Sequence, residues 1–265
     1  MGSLVPGQLL EQLALADPGW RPILAAGLER VAAAHPEYLA RLAADDYLPN
    51  AGRMFAAFAQ PLDAVRYVLV GEGPYPRAQS AIGVCFMDGA VDALWSENGL
   101  SKPVNRATSL RNFMKMLLVA NGMLSASDTG AAAIVAALGA NASGQPTLVR
   151  TRAELQDNLL RQGFLLLNAT PVYRKHVPAP QEARPWRHFL ACVLEALAEH
   201  GERTPSALPT LVLWGKVAEV LAQMPASGAF PKVLAEHPYN LSFIDNPAMQ
   251  ALFGPMRLLE LARSR

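Results

Sequence analysis

YVLVGEGPYPRAQSAIGVCF (residues 67–86) is the stretch that decides the fold. Its apolar opening, with β-branched and aromatic residues through Val70, predicts a buried strand over 65–70. The strand breaks at Gly71 into a loop with one acid, Glu72, then Gly73, Pro74 and Tyr75. Two glycines around an acid bring bare backbone close to whatever lies above the strand, because a Cβ would hinder the approach.

Three further short apolar runs follow: FLLLNAT (164–170), TLVLWG (210–215) and KVLAEHP (232–238). Between them lie helical patterns over 109–120, 151–161, 186–200 and 215–223, after a helical first sixty residues in which Asp17-Pro18 reads as a start signal. Thr151 and Glu154 stand at capping-box spacing. Short, wholly apolar strands alternating with helices predict an α/β fold whose parallel sheet is covered on both faces. Ala- and Gly-rich 130–146 reads as a helix then a loop, a surface insertion in a single domain spanning 1–265.

In open α/β sheets ligands bind beyond the carboxyl ends of the strands. The four runs end at Gly71-Glu72-Gly73-Pro74-Tyr75, at Asn168, at Trp214-Gly215-Lys216 and at His237-Pro238-Tyr239. Singly, each has a plain explanation: an Asn after a strand is commonly a turn residue, and a His before Pro a loop residue. Jointly they place an acid, an amide, a tyrosine and a histidine at one rim.

The 265 residues are 51% hydrophobic and 17% charged, a globular composition. No apolar run approaches the roughly 20 residues of a membrane helix, and the N-terminus lacks the pattern of a secretory signal. Two cysteines, Cys85 and Cys192, make neither a disulfide framework nor a zinc site alone, which fits a reducing, cytoplasmic setting. A net charge of +1 projects no general field toward nucleic acid. DNA binding would rest on local groups: Arg77; Lys102, Arg106, Arg111 and Lys115; or Arg174, Lys175 and His176.

The four endings, in this order, resemble the uracil-DNA glycosylases that carry a Gly-Gln-Asp-Pro-Tyr-His motif. The matching segments are GEGPYP (71–76), GVCF (83–86), LLLNA (165–169), VLWG (212–215) and HPYNLS (237–242), with SLRNF (109–113) between. The resemblance covers about 20–260, with an insertion near 124–150. It implies a three-layer sandwich with a four-stranded parallel sheet flanked by helices, acting without cofactor or metal as a monomer on uracil flipped out of DNA. In that reading Asn168 pairs with uracil O4 and N3–H, Phe86 stacks on the base, and Tyr75 excludes a thymine methyl. His237 and the backbone of Gly71 and Gly73 face uracil O2. Leu241 fills the gap left by the base, while Ser109 and Ser242 grip phosphates.

The departures fall at the reacting end. Gly73 stands where the family keeps its catalytic Asp, Pro76 replaces the motif's His, RAQS (77–80) replaces a Gly-Pro-Gly-Gln loop, and Tyr239 and Asn240 replace Ser and Pro. Two readings stand at this point. In one, Glu72 takes the acid's role and activity is reduced or altered. A related branch with an iron–sulfur cluster resembles the chain there, having Gly-Glu-Ala-Pro-Gly, but two cysteines cannot supply four thiolate ligands. In the other, the chain binds uracil, single-stranded DNA or a protein partner without catalysis. Asp88 is a remote substitute carboxylate.

Overall fold

The computed structural model describes residues 4–140, 147–203 and 208–261. In chain order the elements are α1 (Gly7–Glu11), α2 (Arg21–Ala34), α3 (Tyr38–Ala43), β1 (Tyr67–Gly71), β2 (Trp95–Ser96), β3 (Gly99–Leu100), α4 (Lys102–Arg106) and α5 (Thr108–Ala120). There follow α6 (Ala131–Ala140), α7 (Arg152–Arg161), β4 (Phe164–Asn168), α8 (Ala179–Arg203), β5 (Thr210–Trp214), α9 (Lys216–Ala222), β6 (Lys232–Ala235) and α10 (Pro247–Phe253). The four long strands form one sheet in the order β4-β1-β5-β6. It is parallel and flanked by helices, as expected of the four apolar runs. Central β1 pairs with β4 from Tyr67↔Phe164 to Gly71↔Asn168, and with β5 from Tyr67↔Thr210 to Val70↔Leu213. Every residue of β4 is buried, which is why its sequence shows no alternation.

Contacts divide the chain into two compact units. The first contains the described parts of Met1–Cys85, Gly163–Leu213 and Val217–Lys232. Here α2 lies along α8 so closely that a Cβ on Gly27 would stand 2.7 Å from the Phe189 ring. Trp20, Phe55, Phe58, Trp186 and Phe189 are fully buried around that seam, each contributing roughly 1.5–3 kcal/mol by burial. The second unit contains the described parts of Phe86–Gln162, Trp214–Lys216 and Val233–Arg265. Its centre is α5, whose buried face packs on α10 and on the 3-10 turn Leu241–Asp245.

The capping box forms: Thr151 Oγ1 accepts from the Glu154 N–H at 3.2 Å, and Glu154 Oε2 accepts from the Thr151 N–H at 2.9 Å. Elsewhere the structure differs from the sequence expectation. Asp17 does not start α2; its carboxylate accepts from the Gly19 N–H, 2.9 Å away, in the preceding turn. The first strand runs 67–71 rather than 65–70, because Val65 closes a 3-10 turn. Helix α8 begins seven residues before Trp186 and runs through a buried Pro185. The insertion does contain a helix, α6, whose Ile134 packs against β3 at Gly99. The loop expected over 141–146 lies outside the described residues. Among the described residues no helix is long and apolar enough to cross a membrane.

Candidate active site

In the first unit, β1 and β4 carry their ladder past the strand ends. The N–H of Ala169 donates to Gly71 O at 2.8 Å and that of Thr170 to Glu72 O at 3.1 Å. Consecutive carbonyls accepting in this way bend the chain at Glu72. Asn168, at the last rung of β4, is only 7% exposed, and its Oδ1 has no hydrogen-bond partner among the described residues. Gln60 Oε1 and Ser80 Oγ share that status, but only Asn168 terminates a sheet strand. A buried, unpartnered amide oxygen costs about 1–3 kcal/mol, a cost that a polar ligand removes.

The two loop glycines have different reasons. A Cβ on Gly71 would stand 2.7 Å from Cys85 Cβ and 3.2 Å from Asn168 Oδ1, so protein neighbours forbid a side chain there. The expectation that both glycines clear space for a ligand therefore needs amending at Gly71. At Gly73 the nearest atom to such a Cβ is Thr170 O, 3.3 Å away. Glu72 and Gly73 are exposed and Tyr75 is half-buried. Cys85 is inert: its Sγ donates to Leu69 O at 3.2 Å, and burial pushes the thiol pKa up.

Arg174, read from sequence as one of a local basic group for DNA binding, is instead buried. Its guanidinium donates to Glu182 at 2.8 and 3.0 Å and to Asp45 at 3.2 Å. Tyr38 donates its hydroxyl to Glu182 and accepts from Trp186 Nε1. His176 Nε2 lies 3.0 Å from Asp45, so this cluster fastens the segment after β4.

In the second unit, Phe86 is half-buried and adopts φ +67°, a left-handed conformation uncommon for a bulky residue. Phe113 and Trp214 meet it edge-on, with ring centroids 5.1 Å away in each case. Such T-shaped pairs hold the Phe86 ring in place. Trp214 is fixed in turn by its Nε1–H on Met249 Sδ at 3.2 Å. Asp88, the remote substitute carboxylate, is buried in this unit, and its carboxylate accepts from the Ala90 N–H at 2.8 Å.

His237 is exposed, and its Nδ1 accepts from the Tyr239 N–H at 3.1 Å. In the neutral ring this assignment puts the proton on Nε2, which is then a donor. Gly215 (φ +59°) allows close packing, since a Cβ there would sit 3.0 Å from His237 Cβ. Asn112 on α5, invisible in the sequence as a site residue, donates its amide to Pro238 O at 2.8 Å and to Tyr239 O and Asn240 O at 3.3 Å.

Leu241 is exposed beyond that loop, while Phe243 and Ile244 are buried. Ser242 is bonded to Glu236, whose carboxyl is depressed against the effect of burial by its own N–H, the Ser242 hydroxyl and the Asn246 amide. Its hydroxyl is thus engaged within the loop. Ser109 lies half-buried in the first turn of α5, where Ala107 provides no side-chain cap. The open N–H groups of that turn suit an anion. No group of three or more His, Cys, Asp or Glu among the described residues could hold a metal ion.

Comparison with known proteins places the chain. No family model matches it. The uracil-DNA glycosylase of Corynebacterium glutamicum is 29% identical over 252 residues, covering 92% of this chain and 86% of that protein. That of Mycobacterium ulcerans is 29% identical over 241 residues, covering 91% and 86%. A crystal structure of mimivirus uracil-DNA glycosylase, at 15% identity and a TM-score of 0.54 over 88% of this chain and 73% of its own, shares the fold alone. The crystal structure of wild-type UNG from Nitratifractor salsuginis superposes with a TM-score of 0.85. It is 40% identical and covers 97% of this chain and 98% of its own. With sequence identity and fold agreeing over nearly the whole of both chains, the protein belongs to the uracil-DNA glycosylase superfamily.

Proposed function

We infer that the protein hydrolyses the N-glycosidic bond of uracil in DNA, the first step of base excision repair, more slowly than a relative with an acid at position 73. The observation that carries this is the buried, unpartnered Oδ1 of Asn168 at the end of β4. An amide there can accept from uracil N3–H and donate to O4. Cytosine presents the opposite pattern and would leave both groups unpaired.

Each remaining residue has a physical task in this reading. Phe86 offers a face to the base, and Tyr75 excludes a 5-methyl group. As the bond from C1′ to N1 breaks, its electron pair passes to the base and charge gathers on O2. The Nε2–H of His237 and backbone N–H groups of the 71–75 loop stabilise that charge, mainly in the transition state. Water then bonds to C1′ and gives up a proton. Glu72, the acid of the loop, supports the positive sugar and accepts that proton. Leu241 and Ser109 hold the strand.

A second reading is favoured by one observation: Glu72 is exposed and Gly73 bears no side chain. A protein so built could retain uracil-DNA without cutting it. Incubation of excess protein with uracil-containing single strands, followed through one turnover, separates the two. The enzyme releases free uracil and loses that ability on Glu72→Ala or His237→Ala. A binding protein retains the strand under both changes and releases nothing.

A further inference from the structure

The loop after β6 carries a second protruding side chain. Tyr239 is 68% exposed, as is Leu241, and only Asn240 separates them. The backbone beneath is held. Asn112, itself 0% exposed, bonds three successive carbonyls of the loop. The Asn240 N–H donates to His237 O at 2.9 Å, and buried Phe243 and Ile244 anchor the following turn. A ring with two side-chain torsions on a fixed backbone loses little entropy when it is covered. Helices α4 and α5 carry positive charge, while Glu236 and Asp245 lie at the two ends of the loop. Arg111 donates to Asn112 Oδ1, Lys115 follows one turn later on α5, and Lys102 and Arg106 stand on α4. Burial above all, and then the charge of Arg111, depress Lys115.

We propose that Tyr239 is a nucleobase-stacking residue: its ring takes the face of an unpaired base adjacent to the target uracil, beside the gap that Leu241 fills. Flipping a nucleotide out of the strand removes a stacking partner from each neighbour. An exposed aromatic face replaces it for any base, since every base has a π-face. The basic side chains of α4 and α5 complement the phosphates of the same strand. This rests on the reading of the protein as one that acts on uracil in DNA.

The test is affinity for single strands containing a 2′-fluorinated uracil nucleotide, which resists hydrolysis, with each neighbouring base in turn replaced by an abasic site. Removing the stacked neighbour is expected to weaken wild-type binding about 5- to 150-fold. Tyr239→Phe should keep that discrimination, while Tyr239→Ala, checked as folded by circular dichroism, should bind all strands alike. Undiminished discrimination by Tyr239→Ala overturns the proposal. So does a wild-type protein that prefers uracil but ignores its neighbours, as it would if Tyr239 served a protein partner. A wild-type protein that senses the neighbour but not uracil against thymine overturns the uracil reading and leaves Tyr239 standing.

Discussion

Gly71 and Asn168 face each other at the last rung between β1 and β4, and Asn168 Oδ1 lies 3.2 Å from where a side chain on Gly71 would begin. The glycine therefore serves the asparagine: any Cβ would press on that oxygen and, at 2.7 Å, on Cys85 Cβ. Both obstacles are well fixed, so relief requires movement of the strand end. Gly71→Ala is expected to cost about 1–3 kcal/mol of stability as overpacking, read as a lower denaturation midpoint at unchanged slope.

Asn168→Leu should separate stability from function. The exchange removes an unpartnered buried polar group while keeping the branched outline and the number of side-chain heavy atoms. Thermal stability should hold or rise, because a cost of about 1–3 kcal/mol disappears. Uracil release should fall by about 100-fold or more, because the base loses its polar reader. A variant with lower stability and intact release would contradict the role given to this side chain.

Gly73→Asp tests the missing acid. The backbone is not left-handed there, and the added Cβ meets Thr170 O at 3.3 Å and Thr170 Cβ at 3.8 Å, the first a contact that a shift of a few tenths of an ångström relieves. The carboxylate should raise single-turnover release by about 100-fold, the lower end of what a positioned acid or base contributes. An unchanged rate would mean that Glu72 already fills the role.

The loop bearing His237 should depend on acid pH through Glu236. That carboxyl is held below its ordinary value of 4.5. A depressed folded pKa gives stability that is full above the unfolded value and is lost as pH falls through the folded one. Glu236→Gln should flatten this part of the acid limb of thermal stability and leave neutral behaviour nearly unchanged. A wild-type and variant pair with parallel acid limbs would contradict it.

The sheet was legible because β1, β4 and β5 are buried almost throughout and read as uninterrupted apolar runs. The cap of α7 was legible because both partners lie within one turn. The hairpin of β2 and β3 was missed: strands of two residues show no period, although Asn98-Gly99, with Gly99 at φ +96°, carries a turn signal. Arg174 misled because one of its partners, Asp45, lies 129 residues earlier in the chain. Asn112 was silent for the same reason, its carbonyl partners being 126 to 128 residues distant. Side chains that act on local backbone are written in the sequence, and those that fasten distant loops are not.

The most direct measurement is base release from uracil-containing single-stranded DNA under excess protein, with free uracil and the alkali-labile abasic site both quantified. The account predicts both products in equal amounts from the wild type, and their loss in His237→Ala and Asn168→Leu. Retention of the DNA with neither product formed anywhere between about pH 5 and 9 would contradict it.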